Sequence, residues 1–458
     1  MLIRGGTVVT ADGERQADVL VRGGKIADVG EGIGGSDDVI DATGMLVMPG
    51  IVDPHTHLLL DTGTARTADD FESGSASAAA GGVTTYLDFA PQLAGQPFRE
   101  ALRTRLELIE GRSHVDYGIH LNITNLPDGW GRELAALVDA GVTSAKIYTT
   151  YRDTIFYADD WTWYRLMERS GETGLLVQVH AENDAIVTGM TQELQRQGKT
   201  GLAYHGAARP AVAEVEAVSR GLVFSEQTRS PIYFVHLSSP RSVELITAAR
   251  DRGVKALAET CPHYLVLDDS VYARPDAARY LMTPPLRDRR SQSQLWTQVM
   301  SHHIHSVGSD HCGFSLAERE GIDDFSRVSP GIPGVETSLL LLYTFGVVEH
   351  KMPLPHLVWL LATNPAKIFG LWPRKGDIRP GSDADLVLFD PRPTRRLAAS
   401  DLHSRAGYSP YEGLTLAGNV HTTISRGQVV YRDGAIVGER GFGEFVKCAP
   451  FNPELVPL

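Results

Sequence analysis

Cysteine is nearly absent: Cys261, Cys312 and Cys448 are the only three in 458 residues. An odd, sparse set builds no disulfide framework, which points to a reducing compartment. No apolar run approaches the roughly 20 residues of a membrane-spanning helix. The most apolar stretch, residues 338–348, is expected to be a buried helix. The opening residues Met1-Leu2-Ile3-Arg4-Gly5-Gly6 lack the apolar centre of a signal peptide, so a cytoplasmic location is expected. Basic residues are in deficit, 43 against 56 acidic ones, for a net charge of -13. The two signs are interspersed, which excludes a basic footprint for nucleic acid or for an anionic membrane. A glycine-rich phosphate loop before a helix is also missing, and no organic cofactor is expected.

What is present is ample apolar material, 42% of the chain, organised in two textures. Residues 1–50 read as short strands rich in β-branched residues, with Gly23-Gly24 as a two-residue hairpin turn between 18–22 and 25–29. The far C-terminus repeats this texture at 385–389, 421–425 and 428–431. The two ends are expected to pair into one β-sandwich domain, 1–50 with 376–458, because each alone would expose an apolar face. Between them, 51–375 alternates apolar strands with helical periods. Strands are expected to end near His55, Phe89, Asn122, Tyr148, His180, His236, Thr260 and Asp310. Helices are expected at 97–110, 132–140, 160–173, 210–220 and 240–252. Eight alternations argue for a (β/α)₈ barrel, α/β in class, over an open sheet.

The strongest local signal is Asp53-Pro54-His55-Thr56-His57. Residues i and i+2 of a strand point the same way, so His55 and His57 aim two imidazoles at one point, as a divalent metal requires. Lys146, His180, His236 and Asp310 each lie at or near the C-terminal end of a different expected strand. In a barrel those ends converge on one mouth, where the chemistry of such folds sits. Lys146 is an odd neighbour for metal ligands, since an ammonium repels cations. Divalent ions favour the neutral amine, which can add carbon dioxide. The resulting carbamate has two oxygens and a negative charge, and can bridge two metals.

Taken together, these motifs resemble the cyclic amidohydrolases of the amidohydrolase superfamily, nearest the hydantoinase and dihydropyrimidinase branch. The resemblance runs through 49–57, Val179-His180-Ala181-Glu182-Asn183, 258–265, Pro284-Pro285-Leu286-Arg287, 308–312 and 381–387. It implies one zinc held by His55, His57, the Lys146 carbamate (N6-carboxylysine) and Asp310. It implies a second held by the carbamate, His180 and His236; other divalent metals would also fit. A hydroxide between them would attack the ring amide, with Asp310 carrying the proton and Tyr151 stabilising the oxyanion. Backbone at Thr283 and at Pro330-Gly331 would contact the ring; relatives carry Ser and Asn-Gly there. The segment 431–447 resembles an oligomerisation tail, implying a homotetramer or dimer.

The expected substrate is a small cyclic amide, a hydantoin or dihydropyrimidine opened to an N-carbamoyl amino acid. The expected pocket wall is Leu58, Leu60, Phe71, Tyr148, Ile155, Phe156 and Tyr157. Dihydroorotase relatives place Arg where Leu58 stands, which disfavours a carboxylate-bearing ring. Allantoinase and dihydroorotase activities remain alternatives, as does a non-catalytic scaffold of the same barrel. A mononuclear deaminase is opposed by Lys146. Asp88 and Glu259 are candidate supports for the ligands. His205-Gly206 with Arg209-Pro210 matches a family loop over the mouth. His263 and Cys312 are expected to be packing residues, and His302, His303 and His305 a solvated helix end.

Overall fold

The computed structural model describes residues 1–456. At the N-terminus, alternation of β-branched residues produces an antiparallel pair, Gly13–Arg22 against Lys25–Gly30. Gly23 and Gly24 join them at φ 56° and 74°, the left-handed region that a tight hairpin turn requires. The strand Leu2–Thr10 extends this pair, with its register broken between Ile3 and Gly6. The two chain ends meet where Leu46–Pro49 runs antiparallel to Leu386–Arg396. Beyond it follow Thr415–Ser425, Gln428–Arg432 and Ala435–Ile436, giving a nine-stranded sheet. Its core holds Ile3, Val8, Val19, Val47, Leu386, Leu388 and Ile424. Each such buried side chain stabilises the fold by about 1.5–3 kcal/mol.

The middle of the chain forms eight parallel strands paired in sequence order. They are Ile51–Thr56, Val83–Pro91, Asp116–Asn122, Ser144–Tyr148, Leu176–His180, Ile232–Phe234, Ala256–Thr260 and Ser306–Val307. Nearly every residue in them is buried, as strands covered on both faces must be. The ring closes through a parallel bridge between Thr56 and His311, where His57 N donates to His311 O at 2.8 Å. The sixth strand stops two residues before His236, and the eighth ends at Val307 rather than reaching Asp310. His236 and Asp310 leave the β-region, with φ of 41° and 48°.

Helices pack outside the strands. Asp160–Thr173 is typical: Asp159 caps it by accepting from Thr162 N at 2.8 Å, and Gly174 ends it at φ 74°. Trp163, Leu166, Met167 and Ser170, at spacings of three and four, form its buried stripe. The helix expected at 210–220 continues to Thr228, since its apolar stripe runs on through Gly221, Leu222 and Ser225. The stretch 338–348 is helical but widens, an α-helical turn at Ser338–Leu341 passing into π-helical Leu342–Glu349. No helix among the described residues is long and apolar enough to cross a membrane.

Two features join the terminal sheet to the barrel. Lys375 is buried among Asp116, Asp385 and Asp383 at 2.6, 2.7 and 3.0 Å. Asp116 opens the third barrel strand, while Asp383 and Asp385 precede the strand Leu386–Arg396. The C-terminal tail runs under the barrel, its amides Val446 N, Cys448 N and Phe451 N bonding Tyr117 O, Gly141 O and Gly174 O. Val446, Cys448 and Phe451 pack with Leu87, Leu176 and Phe369 across that end. Of the segment expected to serve as an oligomerisation tail, 431–436 lies in the terminal sheet, and Val446 at its far end lies along the barrel.

Candidate metal centre

At the other end of the barrel, His55 leaves the first strand with its backbone braced. Asp53 Oδ1 accepts from His55 N and from Ser309 N, both at 3.1 Å, which ties the first strand end to the Asp310 loop. His55 Nδ1 faces Glu259 Oε1 at 2.8 Å, so its Nε2 lone pair is directed inward. Around that one atom lie Lys146 Nζ at 2.6 Å, Asp310 Oδ1 at 3.1 Å and His57 Nε2 at 3.2 Å. His57 Nε2 stands 3.4 Å from the same Asp310 oxygen. The His180 and His236 rings complete the group, 4.5 Å apart, with His236 5.4 Å from His55. His180 Nε2 is held by Glu182 at 2.8 Å, which leaves Nδ1 for the interior. His236 Nδ1 is buried without a partner among the described residues.

An imidazole lone pair 3.1 Å from a carboxylate oxygen is repulsive unless a proton or a cation lies between them. Ligands on a tetrahedral zinc with bonds of about 2.1 Å would stand about 3.4 Å apart. The observed 3.1, 3.2 and 3.4 Å separations match that geometry. Ligand atoms of His55, His236 and Asp310 also lie within 4.8 Å of one another. The donor set, imidazole nitrogens with a carboxylate, suits zinc and its neighbours among divalent ions.

Electrostatics follow from burial. Burial pulls the Lys146 amine down to about 8, against the upward pull of Asp310 and Glu259. Burial drives Asp310 up, but the hydrogen bond from His57 and the charges of His236, His57 and Lys146 outweigh it and leave the carboxyl well below its usual range. Burial, then the neighbouring Lys146, keeps His55 neutral far below its ordinary value. A neutral imidazole is the form that binds metal.

The cavity above these groups measures about 540 Å³, a size suited to a small ring with a substituent. Leu60, Tyr148, Ile155, Phe156 and Phe314 give it apolar walls, while Asp153 and Arg327 stand at the rim. Tyr151, Thr283, Pro330 and Gly331 line it, and the Tyr151 hydroxyl bonds Thr283 Oγ1. Burial raises the Tyr151 phenol to about 12, so at neutral pH it is a hydrogen-bond donor. Gly331 N is already committed to Leu281 O at 2.9 Å, and Pro330 has no N–H, so this segment offers the Pro330 carbonyl rather than a donor.

Several expectations are corrected. Leu58 is buried away from the cavity: a Cβ built on Gly74 would lie 2.2 Å from its side chain. Its backbone is instead gripped, N by Asp88 Oδ2 at 2.9 Å and O by Arg105. Phe71 is fully buried at the start of its helix with the Arg105 guanidinium 4.6 Å from its ring centroid, and does not reach the pocket. Tyr157 pairs with Tyr148 by backbone and stacks against Arg152 outside the cavity. In each case side-chain direction is decided by the neighbouring helix or loop. Of the histidine cluster, His305 is buried and accepts from Ala258 N at 3.0 Å, because the eighth strand carries it into the barrel. His302 stacks on His356 at 3.8 Å. Cys312 lines the pocket rather than only packing. His263 is buried as expected, with neither ring nitrogen partnered among the described residues.

Sequence reasoning missed the role of Glu182, two residues beyond the fifth strand end, and of His120, whose Nε2 bonds Pro54 O at 3.0 Å next to His55. Alternation along the third strand could have found His120, which shares its face with positions 118 and 122. Phe89 was also missed as a wall, 4.7 Å from His57 and 4.5 Å from Lys146 Nζ.

Fold and site define the class. The amidohydrolase family model matches residues 46–430, and the chain belongs to that family. It is a hydrolase. Within the family it is 40% identical over 457 residues to a D-hydantoinase of Geobacillus stearothermophilus, covering 98% of this chain and 97% of that one. Its fold matches the crystal structure of a dihydropyrimidinase from Brevibacillus agri with a TM-score of 0.96, at 38% identity over 98% of this chain and 99% of the other. An L-hydantoinase (dihydropyrimidinase) from Arthrobacter aurescens matches at 0.90 and 30% identity, over 97% and 99% of the two chains.

Proposed function

We propose that this protein opens the ring of a hydantoin or dihydropyrimidine by hydrolysis, giving an N-carbamoyl amino acid, and does so with two zinc ions. His55, His57 and Asp310 would hold one ion, His180 and His236 the other, and a carbamate on Lys146 would join the two. When bound, the ions would acidify a water and polarise the ring carbonyl. The observation that carries this reading is the crowding of Lys146 Nζ, Asp310 Oδ1 and His57 Nε2 within 3.2 Å, or 3.4 Å between the last two, around one inward lone pair of His55.

The chain's own residues supply the rest. Asp310, ionised at neutral pH, takes a proton at its carboxylate from the attacking water and hands it to the departing ring nitrogen. The Tyr151 hydroxyl exchanges Thr283 for the oxygen that gains charge. The Thr283 backbone and the Pro330 carbonyl orient the ring amide. Leu60, Tyr148, Phe156 and Phe314 favour an apolar ring substituent and exclude water. With Leu58 turned away, these apolar walls are what disfavours a ring carboxylate. Among the described residues, Arg327 at the rim is the one arginine lining the cavity.

The test is a panel of dihydrouracil, hydantoin, allantoin and dihydroorotate with zinc supplied. Hydantoin or dihydrouracil should be opened fastest; dihydroorotate as the best substrate would overturn the assignment. Metal analysis should find two ions per subunit, and Lys146→Ala should lose one or both along with activity. Protein that binds no metal would restore the scaffold alternative. A cytoplasmic homotetramer or dimer completes the proposal, and a monomer by light scattering would refute that part.

A further inference from the structure

Glu182 Oε2 has two partners: His180 Nε2 at 2.8 Å and the guanidinium of Arg209. Glu182 is fully buried, and the Arg209 side chain is nearly so at 12% exposure. The same guanidinium lies 5.0 Å from the centroid of the Tyr151 ring, whose face it covers. Tyr151 stands at φ 71°, a conformation a tyrosine keeps only where its surroundings impose it. Its ring also lies 5.4 Å from that of His180. Arg209 is itself fixed from behind, its carbonyl accepting from Arg287 Nη1 at 2.6 Å. Arg287 in turn donates from Nε to Ser238 Oγ at 3.0 Å. His205, at the start of the same short segment, bonds Met282 O at 2.8 Å, next to Thr283.

We propose that Arg209 is a positioning residue that locks two parts of the site into one unit. Through Glu182 it fixes the ring of His180 so that Nδ1 faces the metal site. Through the face of Tyr151 it holds the hydroxyl over the cavity. The inference rests on the proposed function, since it assigns His180 and Tyr151 the roles given there. It adds that neither can be set without the other, because one cation spans both. Glutamate alone would orient His180 but leave Tyr151 in a strained backbone without a cation on its ring face. Lysine at 209 would lack the planar fork that can grip a carboxylate and lie flat on an aromatic ring together.

The experiment compares wild type, Arg209→Gln, Arg209→Lys, Tyr151→Phe and the Arg209→Gln/Tyr151→Phe pair. Zinc affinity is read by chelator competition without substrate. Arg209→Gln should weaken the less tightly held zinc about 10–100-fold. With zinc saturating, it should lower kcat about 10–100-fold and change KM little, because the loss lies in orientation. Arg209→Lys should recover only part of both effects. The double variant should lose less than the product of the two single losses, since part of the Arg209 effect runs through Tyr151. If Arg209→Gln does not fold, Arg209→Lys carries the test and should still lose at least about fivefold in kcat. Wild-type zinc affinity and kcat in the folded variant, or full additivity with Tyr151→Phe, would overturn the proposal. Wild-type protein inert on every ring of the panel would instead strike the proposed function, so the two failures are separable.

Discussion

Glu259 and His55 are 204 residues apart in the chain and 2.8 Å apart in the fold, carboxylate oxygen to Nδ1. The same carboxylate accepts from Tyr233 OH at 2.7 Å and from His236 N at 3.0 Å. It therefore orients one candidate ligand by its ring and another by its backbone. Burial pushes the Glu259 carboxyl up to about 8, against these hydrogen bonds.

Glu259→Gln should therefore loosen metal binding. The amide keeps one acceptor but turns an N–H₂ toward the Tyr233 hydroxyl or toward His55. A loss of about 10–100-fold in zinc affinity is expected, measured by chelator competition. Unchanged affinity would mean that Glu259 only fills space.

Gly331 stands at φ 144°, and a Cβ there would lie 2.4 Å from the Cys312 carbonyl oxygen. Gly331→Ala must displace the segment that lines the cavity beside Thr283. Overpacking of this kind costs about 1–3 kcal/mol. A rise in KM with a lowered thermal midpoint is the expected outcome. Wild-type kinetics would show that this wall does not touch the substrate.

Lys375 touches Asp116, Asp383 and Asp385, all nearly inaccessible, and is the one side-chain cation paired with Asp385 among the described residues. These carboxylates raise the Lys375 amine above its ordinary value even though burial opposes them. Lys375→Met would keep the volume and leave Asp385 without a cation, while Arg426 still pairs with Asp116 and Lys25 and Arg374 with Asp383. A loss of about 3–5 kcal/mol in stability is expected from chemical denaturation. A loss below about 1 kcal/mol would show that water or rearrangement compensates.

His403 donates from Nδ1 to Glu336 Oε1 at 2.9 Å, joining the C-terminal segment to the loop after the eighth strand. That hydrogen bond raises the imidazole above its ordinary value of 6.5, while partial burial opposes it. The folded state thus holds the proton more tightly than the unfolded one. The pair's contribution is complete below 6.5 and fades as pH rises through the raised value. In urea titrations, the stability difference between wild type and His403→Gln should shrink with rising pH over that window. A difference that is flat or grows with pH would contradict the assignment.

The sequence by itself determined the two textures of the chain, the order of the barrel strands, and six candidate ligand side chains at or near their ends. Those features are local: a strand repeats every two residues, a helix every 3.6, and His55-Thr56-His57 carries its own geometry. What the tertiary structure decided lies where local periodicity stops. His236 and Asp310 sit past their strands at positive φ, and only the packed barrel directs them inward. Leu58 follows the metal-seeking pair in sequence, yet Gly74 on the next helix leaves a space that draws it out of the pocket. Phe71 is held by Arg105, and Glu182, two residues beyond His180, is itself held by Arg209 from another segment. Beyond a strand end no backbone repeat sets a side chain's direction; contacts made by distant segments do, and those exist only once the chain has closed on itself.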